Sequence, residues 1–177
     1  MFGECMKNDQ SSAFTVTEMK LEDVEEATKM RLQSWRDTYV NDEAGVTADW
    51  LDGVIIEQMS DEKMRERRER GGFGWVARNT DGDIIGVSMP FVMDDGTQRL
   101  GGMYVDKDWH GKSVGSALMQ KVINFHDPTK PIVLGVASYN ERAKAFYRKW
   151  GFEEMPNSIE KVYDKIPTVR MIRKATR

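Results

Sequence analysis

The stretch WHGKSVGSALM, residues 109–119, joins a loop with two glycines, a lysine and two serines to the apolar pattern of a helix. The first backbone N–H groups of a helix lack intrahelical partners, and the helix dipole adds partial positive charge there. Gly111 and Gly115 allow a close approach to the backbone, and Lys112 adds a full charge. These residues predict a site for a phosphate or pyrophosphate group; the alternative is a glycine-softened turn with a surface lysine.

The spacing of this loop matches neither of two common nucleotide-binding motifs. A Walker A loop needs a Gly-Lys-Ser/Thr end after a fixed interval, and a Rossmann fingerprint needs three glycines in a G-x-G-x-x-G pattern. Nucleoside triphosphates and NAD are therefore poor candidates for the bound anion.

A second motif follows the apolar segment PIVLGVAS (131–138), which is typical of a strand buried on both faces. In SYNERAKAFYRKWGFEE (138–154), six residues stand at fixed offsets: Asn140, Ala143, Phe146, Tyr147, Gly151 and Phe152. Together with YVDKDWHGKSVGSALM, this motif resembles the GCN5-related N-acetyltransferase (GNAT) superfamily. The resemblance covers nearly the whole chain, because SWRDTY (34–39) also looks like the first-helix region of many small-molecule acetyltransferases of that superfamily.

The resemblance implies that the chain binds acetyl-CoA, with the loop and its helix holding the pyrophosphate. The family's usual loop has Gln or Arg, two residues, Gly, one residue, then Gly or Ala. Here these positions hold His110, Ser113 and Gly115, so only the last matches; the Ser113 hydroxyl and the His110 ring are expected to donate to phosphate oxygens. The implied cofactor-binding residues are Met103 and Val105 (through their backbone), His110, Gly111, Lys112, Ser113, Val114, Gly115, Ser116, Asn140 and Phe146.

Tyr147 occupies the family's general-acid position. A phenol with a pKa near 10 can protonate a departing thiolate of broadly similar basicity, although Tyr147 could instead be a core aromatic residue of an amphipathic helix. Phe146 is expected to be such a core residue as well. Asn140 either hydrogen-bonds the cofactor arm or caps the following helix.

The acceptor site is expected near the first helix, where Trp35 and Tyr39 lie one turn apart on the same face. They either line the acceptor pocket or pack in the core. The acidic residues near them either attract a cationic acceptor or are ordinary surface residues; they are Asp37, Asp42, Glu43 and Asp49. No general base is assigned, since residues 98–102 hold no carboxylate where relatives often carry one. The resemblance implies an enzyme that acetylates a primary amine of a small molecule, polyamines included. The alternatives are acetylation of a peptide or protein N-terminus, and a non-catalytic acyl-CoA-binding module.

The elements that must position these residues follow from periodicity and turn signals. Strands are predicted at 15–19, on both sides of the Asp81-Gly82 turn, at 98–106, at 131–138 and at 168–174. Gly101 and Gly102 in the strand at 98–106 indicate either a bulge or a close approach of another group to the backbone. Helices are predicted at 22–39, after Thr47, at 61–70 with a solvated charged face, after the glycine loop, and at 141–150. This order describes a mixed α/β (α+β) fold; with the resemblance it implies a twisted, mostly antiparallel central sheet flanked by helices.

Composition limits the remaining possibilities. The net charge of −3, from 26 basic and 29 acidic residues, argues against a general nucleic-acid binder or a polybasic membrane protein. The single Cys5 and two histidines make an internal disulfide or a zinc site improbable, and no metal ligand is assigned. No apolar run approaches the roughly 20 residues of a membrane helix. We expect a cytoplasmic monomer or homodimer with a flexible N-terminal tail (1–13) and a single domain (14–177).

Overall fold

The computed structural model describes residues 13–58, 69 and 74–176. The N-terminal tail up to residue 12, with Cys5, lies outside the described residues. So does the charged helix expected over residues 61–70, apart from Glu69. Within the described residues, no helix is both long and apolar enough to cross a membrane.

Eight strands and four helices make up the described fold, with short 3-10 turns at Leu21–Asp23 and Lys107–Trp109. The strands are β1 (Phe14–Glu18), β2 (Trp75–Asn79), β3 (Ile84–Val92), β4 (Gln98–Val105), β5 (Ile132–Ala137), β6 (Phe152–Glu154), β7 (Glu160–Val162) and β8 (Ile166–Arg173). The helices are α1 (Val24–Tyr39), α2 (Ala48–Gln58), α3 (Val114–Phe125) and α4 (Glu141–Lys149).

All eight strands form one sheet in the order β1-β2-β3-β4-β5-β8-β6, with β7 paired to β8. Among these described strands only β4 and β5 run parallel, and the other pairs are antiparallel. The predicted mixed fold with a mostly antiparallel sheet and flanking helices is therefore confirmed. The short strands β6 and β7 were not predicted, because three residues are too few to show a period of two.

The two faces of the sheet carry different helices. On one face, Ala27 and Met30 of α1 pack on Val76 of β2. On the opposite face Ala77, the next residue of β2, packs against Leu118 of α3. This opposition follows from the alternation of side chains along a strand. Helix α2 joins α1 on the first face through Leu51, and α4 joins α3 on the second face.

The parallel strands β4 and β5 separate after a short paired segment. Leu100 and Leu134 are their last paired residues. Immediately beyond, Gly101 and Gly102 stand opposite the single residue Met89 of β3, which makes a bulge, one of the two alternatives that the sequence indicated. A bulge bends its strand, so the second halves of β4 and β5 leave an opening in the sheet.

Two helix boundaries carry the capping residues that the sequence predicted, Thr47 at the start of α2 and Gly151 after the end of α4. Oγ1 of Thr47 accepts the Trp50 N–H at the start of α2 (3.3 Å). Gly151 follows α4 with a φ of 82°, the left-handed conformation that glycine adopts without strain. The chain can therefore turn sharply from α4 into β6, which brings α4 against the opening.

Candidate active site

A cavity of about 690 Å³ occupies the opening between β4 and β5. Its wall includes Ser34, Thr38 and Tyr39 of α1, Gly101–Val105 of β4, Gly135 and Val136 of β5, Trp109, His110, Gly111, Ser113, Gly115 and Ser116 of the loop and α3, and Asn140, Arg142, Ala143, Ala145, Phe146, Tyr147, Lys149 and Trp150 around α4. About half of the residues of each sequence motif thus meet in one cavity. The size lies within the range of small-molecule sites.

The start of α3 offers free backbone donors to this cavity. Ser113 caps the helix in a left-handed conformation, with φ 66° and ψ 1°, and its side chain makes no capping hydrogen bond. The first helical hydrogen bond runs from the Ala117 N–H to the Ser113 carbonyl (3.0 Å). The N–H groups of residues 114–116 therefore have no intrahelical acceptor, as expected for an anion site.

Two residues of the loop motif do not present their side chains to the cavity. The Lys112 ammonium lies over the Trp109 ring, 4.9 Å from its centroid. The Val114 side chain is fully buried and packs with Leu118 in the core. In this conformation Lys112 and Val114 can therefore contact a cofactor only through their backbone. That contact stays a prediction.

The backbone of β4 faces the opening at Met103 and Val105. The Asp106 N–H donates to the Ile85 carbonyl of β3 (2.9 Å), and Tyr104 pairs with Val87. Because backbone groups alternate in direction along a strand, those of Met103 and Val105 point away from β3, toward the opening. The Met103 groups and the Val105 N–H are available to an extended chain lying between β4 and β5, whereas the Val105 carbonyl oxygen already lies 3.0 Å from Nε2 of His110.

The His110 side chain connects the loop to β4 and to α4. Its Nε2 lies 3.0 Å from the Val105 carbonyl oxygen, and its Nδ1 lies 2.6 Å from Nη1 of Arg142 at the start of α4. Both ring nitrogens are thus engaged by protein atoms. A direct contact of His110 with a phosphate, as the sequence suggested, would require one of these bonds to break.

Asn140 caps α4, one of the two roles left open by the sequence. Its Oδ1 accepts the Ala143 N–H (3.1 Å), while the residue also contributes to the cavity wall. Capping fixes the first turn of the helix that carries Phe146 and Tyr147. A contact between Asn140 and the cofactor arm stays a prediction.

Tyr147 lies at the inner wall of the cavity with 7% of its surface exposed. Its ring packs edge-on against Phe146 (5.6 Å between centroids) and Phe152 (5.9 Å). Burial raises the pKa of the Tyr147 phenol well above its ordinary value, since a phenolate would lose its hydration there. The hydroxyl group is consequently protonated at every physiological pH.

The two aromatic residues predicted for the acceptor end have different positions. Tyr39 contributes to the cavity wall, whereas Trp35 packs behind it with Val46 and Leu51. Their rings meet at 5.2 Å and 90°. Burial raises the pKa of the Tyr39 phenol well above its ordinary value, so Tyr39 is also a neutral group.

The charged groups of the wall are cationic. In the described part of the chain, Arg142 and Lys149 contribute to it, and no carboxylate does. Asp37, an acidic residue near the predicted acceptor site, instead lies 3.5 Å from the Lys107 ammonium. Arg99, on the paired half of β4, does not reach the wall either.

Several wall residues were not identified from the sequence. Arg142 and Lys149 lie seven residues apart on α4, so they share a face, a spacing that could have pointed to them. Tyr104 had no such signal, because alternation along a strand does not show which of its faces borders a cavity.

Comparisons with known proteins agree with this geometry. Residues 35–175 match the family model described as "Acetyltransferase (GNAT) domain". An uncharacterised N-acetyltransferase of Mycobacterium tuberculosis is 36% identical over 75 residues, which cover 41% of this chain and 48% of the relative. The N-acetylaspartate synthetase of Homo sapiens is 30% identical over 110 residues, covering 60% of this chain and 36% of the relative. The chain thus matches less than half the length of either relative.

A solved structure shares the fold at low sequence identity. The PaiA N-acetyltransferase of Thermoplasma acidophilum, in complex with coenzyme A, superposes with a TM-score of 0.71. The two chains are 20% identical, and the match covers 91% of this chain and 98% of the other.

Proposed function

The chain belongs to the GNAT acetyltransferase family, and we propose that it transfers an acetyl group from acetyl-CoA to the primary amine of a small molecule. The observation that carries this proposal is the cavity through the sheet between β4 and β5. One end of the cavity lies at the glycine loop before α3, on the sheet face that carries α3 and α4. The other end lies beside α1 and is lined by Tyr39 and Tyr104. A thioester held along this opening could meet an amine arriving from the α1 face.

The residues present fit acetyl-CoA, the cosubstrate of this family. The free N–H groups at the start of α3 suit its phosphates, and the outward backbone groups of Met103 together with the Val105 N–H suit an amide-containing arm. Gly115 leaves space there, because a Cβ on it would lie 3.5 Å from the Phe146 ring. Acetyl-CoA supplies the activated thioester; the protein holds it, orients it and manages the protons.

Tyr147 is the proposed general acid. Tyr147 lines the cavity and its hydroxyl is neutral, so we propose that this hydroxyl holds a proton for the departing sulfur. The raised pKa makes Tyr147 a weaker acid than a free phenol, but it also guarantees that the proton is present. A backbone N–H of β4 is proposed to hold the thioester oxygen.

The amine end is lined by neutral polar groups. Ser34, Thr38 and Tyr39 of α1 contribute to the wall, and Tyr104 lies beside them on β4. Hydroxyl groups of this kind can orient an amine by hydrogen bonds. No described carboxylate lines this end, so no residue is assigned as the base, and we propose that the amine loses its proton to water.

The acceptor test is a thiol-release assay with acetyl-CoA and a panel of amines. The panel contains polyamines, amino acids (aspartate among them, because of the similarity to N-acetylaspartate synthetase), and short peptides with free N-termini. Turnover on a small amine supports the proposal, and turnover confined to peptides favours N-terminal acetylation. Tight CoA binding without any turnover would identify a non-catalytic module.

The setting of this activity is part of the proposal. We propose a single acetyltransferase domain over residues 14–177 that works in the cytoplasm as a monomer or homodimer, without nucleic-acid or membrane partners. Size-exclusion chromatography with light scattering distinguishes the two oligomeric states.

A further inference from the structure

A hydrogen-bonded chain of three residues connects β4 to α4 beside the cavity. It runs from the Val105 carbonyl through the His110 ring to the Arg142 guanidinium, with distances of 3.0 and 2.6 Å. Arg142 and His110 both contribute to the cavity wall. The side chain of Arg142 is thus held by His110 at the cavity wall.

The chemistry of the partners determines the state of the imidazole. A carbonyl oxygen can only accept, so Nε2 of His110 carries the hydrogen. A guanidinium can only donate, so Nδ1 must keep its lone pair. The ring is therefore neutral, in agreement with a pKa lowered first by burial and then by the positive charge of Arg142.

Arg142 has donors left after this bond. A guanidinium carries five N–H groups, and His110 engages one of them through Nη1. The lysine of the loop is not an equivalent donor in this conformation, because Lys112 lies over the Trp109 ring. The free backbone N–H groups at the start of α3 border the same cavity.

We propose that Arg142, positioned by the neutral His110, binds a phosphate group of acetyl-CoA. This inference rests on the proposed function, since it assumes the cofactor lies in this cavity. Arg142 is the binding residue, and His110 is a positioning residue that acts through it. A guanidinium next to free backbone N–H groups is a suitable site for a phosphate, because charge-assisted hydrogen bonds are the strong ones.

The first experiment compares Arg142→Ala with wild type in binding CoA, by calorimetry, and in turnover. We expect a rise of about tenfold or more in the Kd for CoA and in the KM for acetyl-CoA, the range for lost hydrogen bonds to a charged group. The kcat should stay unchanged. With acetyl-pantetheine, which has the thioester but no phosphate, kcat/KM should not change. Arg148→Ala is the matched control: it removes the same charge from α4, but at a residue paired with Glu154 and outside the wall.

The second experiment tests the role of His110. The variant His110→Gln can donate to the Val105 carbonyl and accept from Arg142, so it should bind CoA nearly as wild type does. His110→Ala should weaken binding, and in an Arg142→Ala background it should add no further loss, because it acts through Arg142. An additive loss contradicts positioning.

The outcomes separate this inference from the proposed function. If wild type neither binds CoA nor turns over, both fail. If wild type binds CoA and turns over while Arg142→Ala keeps the same Kd and KM, the inference alone is overturned.

Discussion

Gly115 of α3 lies against the ring of Phe146 of α4, with room between them for one more carbon atom. A Cβ on Gly115 would lie 3.5 Å from Cε2 of Phe146 and 3.7 Å from Cγ2 of Val105, which are ordinary contact distances. The fold therefore does not need glycine at this position. The space that it leaves open belongs to the cavity.

The variant Gly115→Asp should separate binding from folding. Position 115 is in the first turn of α3, where the helix dipole stabilises a carboxylate. Glycine is also a poor helix former compared with other residues. We expect a free energy of unfolding equal to or above that of wild type, together with a Kd for acetyl-CoA raised at least about tenfold by like-charge repulsion. Urea denaturation and calorimetry measure the two quantities.

The control for this variant is Gln120→Glu. It adds the same charge to α3 at an exposed residue away from the cavity and should leave the Kd unchanged. An unchanged Kd in folded Gly115→Asp would remove the pyrophosphate from this loop.

Ser113→Gly should stabilise the protein. Ser113 has a φ of 66°, a conformation that costs a residue with a Cβ roughly 1–2 kcal/mol. Glycine avoids that cost but loses more freedom on folding, by roughly 0.5–1 kcal/mol. The free energy of unfolding should therefore rise by up to about 1 kcal/mol, the difference between these costs. Ser113→Ala keeps the Cβ and should give no gain; an equal gain in both variants would show that strain is not the cause.

Arg99→Glu should leave the enzyme active. Arg99 lies on the paired half of β4, opposite Phe91 and Val133, and does not contribute to the cavity wall. We expect kcat/KM within about twofold of wild type, as for a surface substitution away from the site. Arg99→Gln, which removes the charge without reversing it, is the control. Loss of turnover with CoA binding intact would assign Arg99 a positive role, such as holding an acidic acceptor.

The pH profile of the enzyme should lack an alkaline decline below pH 10. Burial raises the pKa of Tyr147 in the folded protein above the ordinary phenol value near 10, so the proton of the general acid is retained throughout that range. The rate should instead increase with pH toward the pKa of the acceptor amine, as the neutral amine becomes available. A fall in kcat/KM between pH 8 and 9.5 in wild type, absent from Tyr147→Phe, would contradict the raised pKa of Tyr147, although not its role as the acid.

The sequence predicted the four described helices, the longer strands and many residues of the candidate site because these depend on local signals. The bulge followed from Gly101 and Gly102, and the cap of α2 from Thr47. Both are features that a residue and its neighbours determine.

The remaining features depend on contacts between distant segments. The separation of β4 from β5 after Leu100 and Leu134 results from how two strands pair, which neither strand encodes alone. The orientation of Lys112 over Trp109, and the use of both His110 nitrogens, depend on side-chain rotamers in the folded chain. Motif spacing places these residues near the cavity, but it does not indicate which of them face it.

Tyr147→Phe, followed by steady-state kinetics on an amine found in the panel, tests the central claim most directly. The substitution removes only the hydroxyl group, so the ring contacts with Phe146 and Phe152, the stability and the Kd for CoA should barely change. Loss of a general acid typically lowers the rate by ~10²–10⁴, and we expect a decrease in kcat near the lower end, since water can replace the donor in part. A kcat within about twofold of wild type, far below that range, would contradict the account and leave Tyr147 a core residue.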